Sequence, residues 1–244
     1  MTRPDLRSQV ERFAASLTST LRAVLGDDAH ELTAAEMGES RFVVTTAQPG
    51  GYVLTVGGEP FLVLRVRFLC GWDAPRRFTR VDRSEIHLLP AGNDTRPLIR
   101  YEYGPTTPRL PSAHVHVHTD DPRIVEALAS AGARTSRSKR HAKSAAKGKS
   151  QTADLHLPLG GPRFRPPLED VLHMVVEEFG VDAPDGWHTH LADGREGWRR
   201  IQTKAVVRDA PEDAAEALRS MGYEVTLPDD EERPGDTLHR LREL

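Results

Sequence analysis

Between residues 41 and 118 the sequence repeats one simple pattern: a short segment rich in Val, Phe, Leu and Thr, closed by residues that favour turns. Pro49-Gly50-Gly51 and Gly57-Gly58 separate the first three segments, and longer stretches with Gly and Pro separate the others. Such segments and turns are typical of antiparallel strands joined by hairpins. The predicted strands are Arg41–Ala47, Tyr52–Val56, Pro60–Leu69, Glu85–Leu89, Leu98–Tyr103 and Ala113–His118.

Helical patterns lie on both sides of this region. Residues 10–25 place apolar side chains at the i, i+3, i+4, i+7 spacing of one helix face, and Leu168–Phe179 does the same between Pro167 and Gly180. The sequence therefore predicts an α+β fold, with a central antiparallel sheet and helices at the N-terminus and in the C-terminal third. Further predicted elements are helices at Pro122–Ala131, Trp198–Arg208 and Pro211–Met221, strands at Asp154–Pro158 and Tyr223–Leu227, and a loop at Val181–Gly197.

Charge divides the chain unevenly. Residues 134–149 contain seven Lys or Arg and no acid, which leaves −10 for the rest of a chain whose net charge is −3. Because residues 133–152 are low in complexity and have no apolar face, they are predicted to form a basic flexible loop or linker. Residues 1–132 would hold the first helix and the sheet. Residues 153–228 would add a strand and helices in the same or a second domain, and residues 229–244 an acidic tail.

Composition excludes several classes of protein. The single cysteine, Cys70, excludes a disulfide framework and a cysteine-rich zinc site. No run approaches the 18 apolar residues of a membrane-spanning helix, and the first residues lack the apolar core of a secretory signal. We therefore expect a cytoplasmic protein without a membrane partner.

The clearest chemical feature is the run His114-Val115-His116-Val117-His118. Side chains alternate between the two faces of a strand, so the three histidines would share one face and the two valines the other. The valines suit a core, which leaves the histidines on a solvated or functional surface. Three alternating histidines on an exposed strand can also be polar surface residues without a function.

A metal site is one interpretation of this strand. His114 and His118 would stand about 13 Å apart at their Cα atoms, so all three histidines cannot easily share one ion. Two neighbours can share an ion if another strand supplies a third ligand. His156 is the first candidate and His87 the second. The predicted ligands are then His116, His118 and His156, and the ion a divalent transition metal such as zinc.

Acid–base catalysis without any cofactor is the second interpretation. Histidine has an unperturbed pKa near 6.5, so His116 and His156 on adjacent strands can serve as general base and general acid. Cleavage of a phosphodiester through a neighbouring 2′-hydroxyl needs such a pair, with arginines on the phosphate. The predicted catalytic residues are His114, His116, His118, His156 and Tyr101, and the predicted substrate-binding residues are Arg163, Arg165, Arg137, Lys139, Arg140 and Lys143.

The basic segment also suggests a binding protein without catalysis. Clustered Lys and Arg neutralise phosphates and give salt-dependent binding of nucleic acid. Such segments are also often solvated linkers. The segment contains no aromatic residue, so any stacking on bases would have to come from elsewhere in the chain.

Three stretches together resemble the TumE-like toxins of bacterial toxin–antitoxin systems, which have a Tyr-Asp strand, a Pro-His-x-x-His-type strand and a following helix. The stretches are Tyr101-Glu102-Tyr103, Pro111-Ser-Ala-His114-Val-His116-Val-His118 and Pro167-Leu-Glu-Asp-Val-Leu. This chain has Glu102 where that family favours Asp, and it carries the basic insertion. The resemblance implies a growth-inhibiting protein with RNA as a candidate target and an antitoxin as a candidate partner, and it maps onto Tyr101, His114, His116 and His118.

Of these hypotheses we favour a toxin-like phosphodiesterase or RNase that uses strand histidines as general acid and base. A non-catalytic protein that binds nucleic acid or a protein partner is the alternative, and a histidine-ligated metalloprotein is the third.

Overall fold

A computed structural model describes residues 5–48, 50–92, 96–104, 111–118, 121–122, 125–126, 136–149, 152, 157–159, 163–227 and 234–243. Its helices are α1 (Leu6–Leu25), α2 (Ser136–Ala145), α3 (Leu168–Phe179), α4 (Trp187–Asp209), α5 (Pro211–Ser220) and α6 (Leu238–Arg242). Its strands are β1 (Leu32–Gly38), β2 (Arg41–Thr46), β3 (Tyr52–Val56), β4 (Glu59–Trp72), β5 (Thr79–Pro90), β6 (Ile99–Tyr103), β7 (Ala113–Val117) and β8 (Leu157–Pro158).

All eight strands belong to one antiparallel sheet. The order is β1-β2-β4-β5-β6-β7-β8, and β3 pairs with β4 beside this path. The 14-residue strand β4 is long enough to pair with β2 at its C-terminal half and with β3 at its N-terminal half. The α+β fold and the antiparallel sheet predicted from the sequence are therefore confirmed.

One face of the sheet forms the core with the helices. The side chain of Asp5 caps α1 by accepting a hydrogen bond from the Ser8 amide at 2.9 Å, and Gly26 ends the helix. The apolar stripe of α1 and that of α3 pack with alternate residues of the central strands into one cluster that runs from Leu6 to Leu191. Alternation decides which strand residues enter this core, because only every second side chain faces the helices.

Two rows of polar side chains cross the opposite face of the sheet. The strand register defines them, since residues directly opposite one another in paired strands point to the same side. We call these eight residues the polar face. The first row is Arg65, His87, Arg100 and His116, and the second is Arg67, Glu85, Glu102 and His114.

The basic segment, predicted as a flexible loop or linker, contains a helix. Residues 136–145 form α2 because Ala, Lys and Arg have high helix propensity, and no Gly or Pro interrupts them. β8 pairs with β7, so the same sheet includes strands on both sides of this segment. The core cluster likewise contains residues that precede the segment and residues that follow it.

The C-terminal third differs most from its prediction. Residues 187–209 form one continuous helix, α4, where the sequence predicted a loop before a helix at Trp198–Arg208. Gly194 lies within this helix and packs closely against Glu169 of α3. Residues 223–227 form no strand.

Most of the helix predicted at Pro122–Ala131 lies outside the described residues. Within the described part of the chain, no helix is long and apolar enough to cross a membrane.

Candidate metal centre on the polar face

Glu102 on β6 lies opposite His114 of β7 and contacts two histidines of that strand. Its Oε2 atom is 3.4 Å from His114 Nε2 and 3.6 Å from His116 Nε2. His114 and His116 are buried, with 8% and 3% of their surface exposed, whereas a quarter of the Glu102 side chain remains exposed. The two imidazole rings are therefore buried, whereas the carboxylate that they contact is still accessible to solvent.

A backbone hydrogen bond fixes the orientation of the His114 ring. Nδ1 of His114 lies 2.9 Å from the carbonyl oxygen of Pro111. A carbonyl can only accept, so Nδ1 carries the proton, and in the neutral ring Nε2 then presents a lone pair. That lone pair would face a carboxylate oxygen at 3.4 Å. Two acceptors face each other stably only when a proton or a cation lies between them.

The other oxygen of Glu102 is held by cationic and polar neighbours. Oε1 is 3.3 Å from Arg100 Nη1 and 3.3 Å from His87 Nε2. The side chains of His114, His116 and His87 that face the carboxylate, together with the charge of Arg100, hold the pKa of Glu102 well below its usual range, against the opposing effect of burial. The carboxylate is therefore ionised at neutral pH, as a metal ligand must be.

The spacing of the ligand atoms suits a single transition-metal ion. One ligand atom each from Glu102, His114 and His116 lie within 4.8 Å of one another, and the searched, described residues contain no other such group. Zinc binds imidazole nitrogen and carboxylate oxygen at about 2.0–2.2 Å, so tetrahedral ligand atoms stand about 3.3–3.5 Å apart. Glu102 Oε2 lies 3.4 Å from His114 Nε2, within that range, and 3.6 Å from His116 Nε2, slightly above it.

His118 stays outside this group, although the sequence predicted it as a ligand and a catalytic residue. Its backbone N–H donates to the Leu98 carbonyl at 2.8 Å, which extends the β6–β7 ladder. Burial, and after it the charge of Arg100, lowers the pKa of the His118 ring. In the group that can hold a metal, the residue from the neighbouring strand is Glu102, whereas the sequence predicted His156 or His87 for that position.

Three predicted site residues lie elsewhere. Tyr101 points to the opposite face of the sheet, where it packs against the core and burial raises its pKa. Arg165 stacks over the ring of Tyr103, 4.1 Å from its centroid. Arg163 makes a bidentate ion pair with Asp209 of α4, with Nε 2.7 Å from Oδ2. The structure does not bring these three side chains to the histidines.

The remaining predicted residues belong to the basic segment or fall outside the description. Lys139, Arg140 and Lys143 are exposed on α2. Arg137 belongs to the same helix, but its side chain lies outside the described residues, as does all of His156. The predicted pairing of His156 with His116 therefore stays a prediction.

Sequence reasoning missed Glu102. The alternation in Arg100-Tyr101-Glu102-Tyr103 does place Arg100 and Glu102 on one face, apart from the tyrosines. What it does not give is the register between β6 and β7, because a one-residue shift would put Glu102 opposite a valine. The signal available in the sequence was the charge of Glu102, which shares one face of its strand with Arg100.

The chain matches no protein-family model, no curated protein and no solved structure. The fold and the site together describe an α+β protein whose antiparallel sheet carries a cluster of two histidines and one glutamate on its polar face. The resemblance to TumE-like toxins stays a prediction.

Proposed function

We propose that this protein binds one divalent transition-metal ion through His114 Nε2, His116 Nε2 and Glu102 Oε2. The observation that carries the proposal is the convergence of one ligand atom from each of these three side chains within 4.8 Å of one another on two adjacent strands. Imidazole nitrogen combined with one carboxylate suits zinc and the neighbouring first-row metals.

The surroundings of the three side chains support the proposal. Metal-bound histidines usually donate their other ring nitrogen to a carbonyl or carboxylate, and His114 donates Nδ1 to Pro111. Ligating carboxylates are usually held by further hydrogen-bonding groups, and here Arg100 and His87 lie at the second oxygen of Glu102. We infer that Pro111, Arg100 and His87 orient the ligands.

A site with three protein ligands has room for a fourth ligand from solution. Such a centre, when loaded, lowers the pKa of bound water and polarises carbonyl or phosphoryl oxygens, the chemistry of metal-assisted hydrolysis. The quarter-exposed side chains of Glu102, His87 and Arg100 provide the accessible side, and Arg100 places a positive charge there. We therefore propose a hydrolytic centre for an anionic substrate.

Zinc titration of the metal-free, untagged protein tests this proposal. We expect one equivalent to bind in isothermal titration calorimetry, and His116→Ala to lower the affinity at least about 100-fold. His190→Ala is the matched control, because His190 is exposed on α4 and lies outside the cluster. Absence of stoichiometric binding, or equal losses in both variants, would refute the metal centre.

A metal-independent phosphodiesterase with histidines as acid and base is the second candidate function. The observation in its favour is that a protonated His114 would also satisfy the 3.4 Å contact with Glu102, as an imidazolium–carboxylate pair. RNA cleavage by protein treated with a chelator separates the two candidates. Activity that survives chelation and is lost in His116→Ala would favour the acid–base mechanism and the toxin-like function.

Nucleic-acid binding through α2 is a further candidate, which can accompany either chemistry. Lys139, Arg140 and Lys143 are exposed on this helix, and Lys147 and Lys149 are exposed just beyond it. Substituting these five residues by Gln should abolish retention on RNA and remove its salt dependence. Binding that is unchanged in this variant would exclude α2 as the contact.

A further inference from the structure

The polar face carries a net positive charge, although the chain as a whole is negative. Its eight residues include three arginines and two glutamates, and Arg83, opposite Leu69 in the next row, adds a fourth arginine on the same side of the sheet. With neutral histidines these side chains have a net charge of +2, whereas the whole chain has −3. This side of the sheet therefore attracts anions.

The excess of positive charge lies at the β4 end of the polar face. Glu85 is shared by two arginines, since it lies 3.5 Å from Arg67 and 3.8 Å from Arg83. Arg65 is exposed on the same strand as Arg67, and neither glutamate of the polar face pairs with it. A guanidinium group in such a position can bind a phosphate group through two parallel hydrogen bonds.

Unsatisfied polar atoms are concentrated on the same side of the sheet. Six buried side-chain atoms of the described residues have no hydrogen-bond partner, and three of them are His87 Nε2, Arg100 Nε and His118 Nε2. The three residues follow one another across β5, β6 and the end of β7, because the His118 amide donates to the Leu98 carbonyl and so places His118 diagonally across from Arg100. Buried polar atoms rarely lack a partner, so these three are suited to contacts with a polar ligand.

A phosphate group has the chemistry that these atoms require. Arg100 Nε is always a donor, and each histidine nitrogen donates in one tautomer or when the ring is charged. The oxygens of a phosphodiester are acceptors only. Because 28% of the Arg100 side chain is exposed, such an oxygen can approach it from solution. Arg100 also contacts Glu102, so a phosphate bound there lies beside the proposed metal ligands.

Arg65 and Arg100 are too far apart to bind one phosphate group together. They lie in the same row on β4 and β6, with His87 of β5 between them, so two strand spacings, about 9.5 Å, separate their Cα atoms. Side chains stand roughly perpendicular to a sheet, which keeps the two guanidinium groups apart, whereas hydrogen bonds of about 2.9 Å to one phosphate would require them to converge. A ligand that contacts both arginines therefore carries at least two phosphates.

We propose that the substrate of the metal centre is a single-stranded nucleic acid that crosses the polar face from β7 to β4. One phosphate lies at Arg100 and His118, beside the metal ligands, and a neighbouring phosphate lies at Arg65 and Arg67. A single strand is flexible enough to place successive phosphates along one row of the sheet. The proposal rests on the proposed hydrolytic centre for its chemistry, but the arginines that form the binding surface are not metal ligands.

Fluorescence anisotropy with a labelled oligothymidine of about twelve residues tests this surface. A chelator is present, so the result does not depend on whether the protein binds zinc. We expect Arg65→Gln combined with Arg67→Gln to weaken binding at least tenfold, and to reduce the slope of log affinity against log salt by about 1.4. The control is Arg12→Gln combined with Arg199→Gln, which removes the same charge from exposed positions on α1 and α4 and should leave binding nearly unchanged.

The basic helix α2 stays intact in every variant, so its own contribution to binding is constant. Thymidine monophosphate, which has one phosphate group, should compete at least about 100-fold more weakly than the oligonucleotide. Thermal melts accompany each variant, and Arg65→Gln combined with Arg83→Gln replaces the first pair if that pair fails to fold.

Equal affinity of the arginine pair and its control, or no binding of the oligonucleotide at micromolar protein, would overturn the proposal without touching the zinc titration. Equal competition by polyglutamate of the same length would overturn the assignment to nucleic acid. Weakened oligonucleotide binding in the arginine pair, in a protein that fails to bind zinc, would support the binding surface and refute the metal centre.

Discussion

His114 Nδ1 donates a hydrogen bond to the Pro111 carbonyl at 2.9 Å, and this bond directs the other ring nitrogen of His114 towards Glu102. Pro111 lies three residues earlier, two residues before β7 begins, so the start of the strand itself determines the orientation of the ring. One of the proposed metal ligands is thereby positioned before any ion binds.

His114→Asn tests the two roles of this ring separately. The shorter amide can keep the hydrogen bond to Pro111 but cannot reach the position of Nε2. We expect the fold to persist, with a small change in melting temperature, and the zinc affinity to fall at least about 100-fold. Calorimetry and a thermal melt measure the two effects. A variant that binds zinc as tightly as the wild type would exclude His114 as a ligand.

Arg100→Leu should weaken the metal centre without removing a ligand. Arg100 Nη1 lies 3.3 Å from Glu102 Oε1, and loss of such a supporting contact typically costs about 10–100-fold in metal affinity. Arg83→Leu is the control, because Arg83 is exposed and contacts Glu85 at 3.8 Å instead. Equal zinc affinity in the wild type and Arg100→Leu would show that Glu102 is oriented by other groups.

Glu102 should make the stability of the metal-free protein depend on pH in the acid range. Its pKa is lowered in the folded state, so folding stabilises the ionised form, and the gain is fully present above the unfolded-state value near 4.5. It is lost progressively as the pH falls below that value. Glu102→Gln should therefore lower the free energy of unfolding at pH 7 by roughly 1–3 kcal/mol, and by less at pH 4. Urea unfolding at both pH values measures this, and a difference that grows towards pH 4 would contradict it.

The thiol of Cys70 should be inert in the folded protein. Cys70 is fully buried, and burial, with a smaller effect of Asp82, raises its pKa to about 12. Only the thiolate reacts, so the reaction with Ellman's reagent at pH 8 should be at least roughly 1,000-fold slower than for an exposed thiol. Guanidinium chloride should restore the ordinary rate. Rapid reaction of the folded protein would mean that the core around β4 opens readily.

Arg163 should contribute to the stability of the fold but not to metal binding or catalysis on the polar face. It forms a bidentate pair with Asp209, whose side chain is 9% exposed, so Arg163→Ala leaves a nearly buried carboxylate without its partner. We expect a loss of about 2–4 kcal/mol in the free energy of unfolding. Zinc affinity and any RNA cleavage should be unchanged. A stable variant with impaired cleavage would instead restore Arg163 as a phosphate-binding residue.

The fold was largely predictable because its strands alternate and its turns contain Gly and Pro. Tyr52–Val56 and Leu168–Phe179 have the predicted bounds, since apolar spacing and flanking residues agree there. β1 was not predicted: its sequence, Leu32–Gly38, has a single buried residue and therefore no clear period. α4 was predicted only in part, because Gly194 and Gly197 lie within it and glycine has a low helix propensity.

The site was predictable only to the level of a single strand. His114 and His116 share a face because the side-chain period is two, and that follows from the sequence alone. Their contact with Glu102 depends on the register of β6 against β7, which is a property of the assembled sheet. The separation of Arg163 from the histidines likewise follows from a tertiary ion pair with a residue 46 positions later.

X-ray absorption spectroscopy of the zinc-loaded protein tests the central claim most directly. We predict a first shell of nitrogen and oxygen at about 2.0–2.1 Å, with outer-shell scattering from two imidazole rings that falls to one ring in His116→Ala. A spectrum with no imidazole scattering, or one that is unchanged by His116→Ala, would contradict the assignment of this histidine pair as metal ligands.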